Sequence, residues 1–154
     1  GAGNKSLIKA MTIIQSQSTS NPCSISQIAA IEALTGSQNF IKPNAENFRK
    51  KRDLALAILN NITAINCYKP EGAFYLFPEC SKLFGLKTST GKIIKNSNNL
   101  GEYLLEEYNV AIVPGIAFGM EGCFRVSYAT SLQNIEQGCA LIADACNQLK
   151  PKSQ

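Results

Sequence analysis

The stretch GCFRVSYAT, residues 122–130, alternates as a strand does: Phe124, Val126 and Tyr128 fall on one face, and Cys123, Arg125 and Ser127 on the other. The apolar face asks for a core beneath it. The other face carries one arginine between two small residues, which leaves space above the guanidinium. The preceding loop holds Gly115, Gly119 and Gly122, as expected where backbone bends closely around a ligand. A guanidinium is a rigid fork of donors that can match a carboxylate bidentately. Spacing alone leaves two roles open for Arg125, an edge or solvent-facing salt bridge and an anion site.

The pattern around this strand sets the fold class. Val110–Val113 is a buried-type strand ending at Pro114-Gly115, and before it a helix over about 98–108 stacks Leu100, Tyr103, Leu104 and Tyr108 on one side. After the strand, Thr130 with Gln133 forms a capping box. It opens a helix whose stripe is Leu132, Ile135, Cys139, Ile142, Ala143, Cys146 and Leu149. Upstream, Ala64–Tyr68 and Ala73–Phe77 are expected as short strands joined by the turn 69–72, with a polar surface loop over 81–98. Pro43-Asn44 opens a long helix with Phe48, Ala55, Ile58, Leu59 and Ile62 on one face. The order α-β-β-α-β-β-α predicts an α+β domain over 42–150, a small, mostly antiparallel sheet packed by helices, with 151–154 as a tail. Residues 1–41 belong to a different unit. The stretch 1–20 begins abruptly, with no cap before it, and a helix over about 25–34 follows that a Ser24/Gln27 capping box starts and Gly36 stops.

Composition narrows the function classes. The chain has 154 residues, 45% of them apolar and 17% charged, with no run of membrane-spanning length. No secretory leader is expected, so the expected location is cytoplasmic. The net charge is +4, and its densest spot, Arg49-Lys50-Lys51-Arg52, is flanked by Glu46 and Asp53. That predicts a solvated helix face rather than a nucleic-acid patch. Six cysteines without a CxxC pair predict free, mostly buried thiols rather than disulfides or a zinc site. The segment GLKTSTGKI (85–93) imitates a P-loop but has five residues between its glycines and Ile93 where a magnesium-binding hydroxyl belongs. There is no histidine. Proton transfer near neutral pH would fall to a lysine, a carboxylate, a tyrosine or a cofactor.

Three segments in order, PEGAFYLF (70–77), VAIVPGIAFG (110–119) and FRVSYA (124–129), resemble the C-terminal third of class I pyridoxal-phosphate aminotransferases, closest to bacterial-type aspartate aminotransferases. SLIKAMTIIQSQSTSNPCSISQIAAIEAL (6–34) resembles the segment that follows the cofactor lysine in the same enzymes. The resemblance implies a fold-type I homodimer with pyridoxal 5'-phosphate bound between a large and a small domain. Residues 1–41 would then be the C-terminal remnant of the large domain and 42–150 the small domain. By the same resemblance Arg125 binds the substrate α-carboxylate. Ser20 and Asn21, in the Ser-Asn-Pro segment, lie near the partner subunit's active site, or simply form a turn before Ser24.

The departures shape the expectation. The family's Schiff-base lysine sits in a motif of the type S-K-x-x-x-x-T-G-W-R-x-G-Y, which would end just before Gly1, and Lys5 and Lys9 do not stand in that context. The large-domain residues that hold the cofactor ring are also missing. Ser16 lies where some relatives carry an arginine for the side-chain carboxylate, so it implies no dicarboxylate preference. The resemblance therefore implies a chain with no catalytic or cofactor-binding residue of its own, inactive alone. It would supply the carboxylate arginine to an enzyme that passes the amino group of L-aspartate to 2-oxoglutarate, with aromatic, prephenate or branched-chain substrates still open. Neither a nucleic acid nor a membrane is an expected partner. The alternative is a stand-alone α+β ligand-binding or interaction domain.

Overall fold

The computed structural model describes residues 1–151 and divides into two compact units, Gly1–Ile41 and Lys42–Gln154. Residues 152–154 of the expected tail lie outside the described residues.

The first unit is two helices, α1 (Lys5–Ser18) and α2 (Ser24–Thr35). α1 is a helix the sequence reading did not expect, and its start is a side-chain cap: the Asn4 Oδ1 accepts the Ser6 N–H at 3.0 Å. The Ser24/Gln27 capping box does not form. The Gln27 amide donates instead to the Pro22 carbonyl at 2.9 Å, and the helix starts at Ser24. Neither helix buries a side chain within the unit, and Ile14, Ile25, Ile28 and Leu34 are exposed.

The second unit runs α3 (Ile41–Asn60), β1 (Tyr75–Leu76), α4 (Ser97–Tyr108), β2 (Val113–Pro114), β3 (Phe124–Ser127) and α5 (Leu132–Gln148), with 3-10 turns at Ser81–Leu83 and Gly115–Phe118. The three strands form one antiparallel sheet in the order β1-β3-β2. The α+β class therefore holds, with one strand fewer than expected. Ala64–Tyr68 makes only a single bridge, Asn66 to Glu79. The cause is local: the Asn60 side-chain amide takes both the N–H and the carbonyl of Cys67, at 2.8 and 3.0 Å, and so consumes groups a ladder would need.

The core confirms the long-period stripes. α3 buries Ala55 and Leu59, α4 buries Leu100, Tyr103 and Leu104, and α5 buries Ile135, Cys139, Ile142, Ala145 and Cys146. Phe124 and Leu76 are fully buried between them. Leu132, expected on the α5 stripe, is exposed in the first turn, and the helix is capped by Ser131 accepting from the Asn134 N–H at 3.1 Å, one residue later than the Thr130 box would place it. α4 ends at Asn109 in the left-handed region (φ 55°), whose N–H and that of Val110 close onto the last-turn carbonyls. Arg52 departs from the solvated-face expectation. Its guanidinium donates to the Pro70 carbonyl (3.1 Å) and pairs with Asp53 (2.8 Å), tying α3 to the 69–72 turn. Five thiols are buried and only Cys23 is exposed; burial pushes Cys139 up to about 11 and Cys80 and Cys146 up to about 12.

Candidate functional site

Arg125 sits on β3, the middle strand, in register with Val113 of β2 on one side. On the other side, Val126 faces Leu76 and Ser127 faces Tyr75 of β1. Alternation holds as expected: Phe124 and Tyr128 turn into the core, while Arg125 stays half-buried and Ser127 exposed. The space above the guanidinium is not open. Its Cζ lies 4.3 Å from the centroid of the Tyr75 ring and 4.5 Å from that of Phe118, within cation–π range of both. Tyr75 comes from β1 and Phe118 from the turn after β2, so the strand order brings the rings in from the two flanks of β3. Phe118 is itself braced edge-on by Phe77 at 5.9 Å.

Each ring is presented by a fixed backbone. Gly115 donates to the Cys123 carbonyl at 2.8 Å and accepts the Met120 N–H at 3.0 Å. A Cβ at Gly115 would run into the carbonyl oxygens of Met120 and Cys123, so only glycine fits there. Gly119 then turns the chain back in the left-handed region (φ 72°). The Glu121 carboxylate accepts the Ser97 N–H at 2.7 Å and the Gly122 N–H at 3.1 Å, stitching this loop to the start of α4. Those backbone donors, Ser97 first, hold Glu121 below the usual carboxylate range. On the β1 side, Ala73 occupies the left-handed region (φ 60°), and its carbonyl accepts the Tyr128 hydroxyl at 2.9 Å. The Tyr128 N–H donates to the Phe74 carbonyl at 2.9 Å. The strand that carries Arg125 thus also anchors the turn that delivers Tyr75.

Among the described residues no Asp or Glu pairs with Arg125; the ion pairs present are Arg52–Asp53, Lys69–Asp53 and Lys92–Glu106. The salt-bridge role therefore has no partner among the described residues. A cleft of this unit, about 610 Å³ and lined by Tyr108, Val126, Tyr128 and Ile135, includes neither Arg125 nor its two rings. Tyr75 and Phe118 were not singled out by sequence reasoning. The available signal was Tyr75 and Phe77 two apart on one strand face.

Ser20 and Asn21 belong to the first unit. Ser20 is left-handed (φ 62°), its N–H donating to the Gln15 carbonyl at 3.0 Å, and both residues edge a cleft of about 320 Å³ with Met11 and Thr12. Both are exposed, and the geometry there is that of a helix-to-helix turn. Ser16, in the same cleft, bonds back to the Ile13 carbonyl.

The family described as aminotransferase class I and II matches residues 1–142. A probable aspartate/prephenate aminotransferase of Rickettsia prowazekii is 70% identical over 97% of this chain and 37% of its own length. An aspartate aminotransferase of Rhizobium meliloti is 48% identical over 96% of this chain and 36% of its own length. The crystal structure of the aspartate aminotransferase from Rhizobium meliloti superposes with a TM-score of 0.91 at 47% identity, over 97% of this chain and 37% of that one. An aspartate aminotransferase from Thermus thermophilus solved with maleate gives a TM-score of 0.80 at 35% identity, over 94% of this chain and 35% of that one. The chain thus spans a little over a third of the length of the relatives it matches.

Proposed function

The chain belongs to the class I and II aminotransferases, a pyridoxal-phosphate-dependent family, and from that premise we propose that it forms the substrate α-carboxylate site of an aspartate aminotransferase. The observation that carries the reading is Arg125: a half-buried guanidinium flanked by two rings and paired with no carboxylate among the described residues. Such a group binds a carboxylate strongly, since one edge supplies two parallel charged donors. Orientation is its contribution. With both carboxylate oxygens gripped, the substrate Cα is fixed relative to the sheet, and the barrier falls through positioning rather than through chemistry done by this residue.

The cofactor itself does not fit the residues present. Among the described residues no lysine is buried; Lys51 and Lys87 are half-buried and the others exposed, so none sits in an enclosed site that would hold the cofactor specifically. Its lysine belongs, on this reading, to the part of the relatives' length that this chain does not span. The names of the relatives support aspartate and prephenate as substrates; L-aspartate as amino donor and 2-oxoglutarate as acceptor is the pairing we propose. Residues 1–41 are read as large-domain sequence and 42–150 as the small domain, in a cytoplasmic homodimer, with Ser20 and Asn21 near the partner's site. Among the described residues no helix is long and apolar enough to cross a membrane.

The test is amino transfer by the purified full-length protein loaded with pyridoxal phosphate. L-Aspartate and 2-oxoglutarate should give oxaloacetate and glutamate, read by coupling oxaloacetate to a dehydrogenase. Failure of a correctly loaded enzyme to transfer the group from aspartate would reject the substrate assignment. The chain 1–154 alone, incubated with the cofactor, reduced and weighed, should give no single-lysine adduct.

A further inference from the structure

We infer that Tyr75 and Phe118 are positioning residues for Arg125, holding its guanidinium so that only the edge is offered to the carboxylate. The inference rests on the carboxylate-site reading above and adds the means by which the arginine is aimed. An arginine on a strand has several rotatable bonds and, left in solvent, samples many orientations, so a bidentate grip would have to freeze it at the moment of binding. Here that ordering is done in advance. Tyr75 lies 4.3 Å and Phe118 4.5 Å from Cζ, one from each flanking element of the sheet. An aromatic face attracts the guanidinium and also excludes water from it, while leaving its in-plane N–H donors unspent. The rings cannot substitute for the ligand, because they accept no in-plane hydrogen bond.

The surroundings support a device rather than a chance contact. Phe118 is 48% exposed, a large apolar ring left half in solvent, and it meets Arg125 with its face and Phe77 edge-on. Its position costs a glycine that nothing else can replace at 115 and a left-handed glycine at 119. Tyr75 is delivered by a turn with the non-glycine residue Ala73 in the left-handed region, locked by the hydroxyl of Tyr128, the residue that follows the Arg125 strand. Two conformationally specified segments, one of them with a non-glycine residue in the left-handed region, thus converge on one guanidinium.

The experiment is calorimetric titration of maleate, a dicarboxylate, into the full-length cofactor-loaded enzyme. Phe118→Leu and Tyr75→Leu are each expected to weaken binding by about 3- to 30-fold, the worth of one cation–π contact between exposed and desolvated limits. The ring-retaining variants Phe118→Tyr and Tyr75→Phe should stay within about twofold. In the Arg125→Ala background, measured at raised maleate concentration, either leucine variant should add less than about twofold, because no cation is left to aim. Unchanged affinity in the leucine variants, with Arg125→Ala strongly weakened, overturns the positioning role and leaves the carboxylate reading standing. An equal loss with and without Arg125 also overturns it, since the rings would then be pocket wall. Unchanged affinity in Arg125→Ala itself overturns the carboxylate reading. Thermal melts accompany each variant, and should Tyr75→Leu fail to fold, Phe118→Leu, whose ring is half in solvent, decides.

Discussion

Replacing Arg125 by alanine separates a ligand-binding arginine from a structural one, because the two predict opposite patterns of loss. Within the fold the side chain makes two ring contacts and no ion pair among the described residues. Its removal should therefore cost about 1–2 kcal/mol of stability, about 0.5–1 for each partly exposed cation–π contact. Substrate binding should suffer far more. A bidentate, charge-assisted carboxylate contact is worth about 2–5 kcal/mol when one partner is truncated, and the half-buried setting of Arg125 places it near the middle, about 3 kcal/mol. At about 1.36 kcal/mol per decade that is a loss of about 100-fold in kcat/KM for L-aspartate. Cofactor content, read from the visible absorbance of the full-length enzyme, should be unchanged. Arg125→Lys keeps the charge but loses the fork, and should recover only part of the loss. A kcat/KM within twofold of the parent, or a collapse of the urea midpoint with normal kinetics in the residual folded fraction, would refute the reasoning. The first result would mean the guanidinium touches no substrate; the second, that it is a fold element.

Gly115→Ala forces a methyl group into the carbonyls of Met120 and Cys123; it should cost about 1–3 kcal/mol in urea unfolding and, by shifting Phe118, weaken carboxylate binding as well. Glu121 has its pKa depressed by the Ser97 and Gly122 amides. A depressed carboxylate pKa stabilises fully above the ordinary value near 4.5 and loses that contribution as pH falls through the folded value, so Glu121→Gln should flatten the acid limb of a stability–pH curve and leave the neutral region's slope untouched. Of the six thiols, Cys23 is exposed and its pKa is lowered by the Ser26 and Ile25 amides, whereas the other five are buried and shifted up. An aromatic disulfide reagent at pH 7 should titrate one thiol of the native chain rapidly and the rest only on unfolding; two or more fast thiols would contradict the burial described.

What the sequence made legible depends on how often a pattern repeats. The stripes of α3, α4 and α5 persist over several turns, so a stray residue such as Leu132 does not hide them. Strands of two to four residues offer no such averaging. The expected 64–68 strand failed because one amide, on Asn60, satisfied the Cys67 backbone from outside the segment. Caps were misplaced for a related reason. Several short polar residues near a helix start can accept the first N–H groups, and Ser131 won over the Thr130 box that spacing favoured, while Gln27 turned to the Pro22 carbonyl instead of closing the Ser24 box. Arg52 looked solvated on a helix wheel, yet a carbonyl 18 positions away claims it.

The clamp on Arg125 lies at the far end of this scale. Alternation alone placed the arginine on its face and put small neighbours beside it, which suggested empty space. Two rings occupy the flanks of that space, from positions 75 and 118. Nothing local to either residue encodes the meeting. It follows from the strand order β1-β3-β2, which inserts the last strand between two that precede it and thereby sets Tyr75 and the turn after Pro114 on opposite flanks of Arg125. A parallel shift of one residue in β3 would turn Arg125 into the core and Phe124 outward, so the fully buried Phe124 is also what keeps the guanidinium on the ring side. Filling the Phe124 site with a small residue should therefore loosen the register and the carboxylate grip together, while a change at the exposed Ser127, on the arginine's own face, should loosen neither.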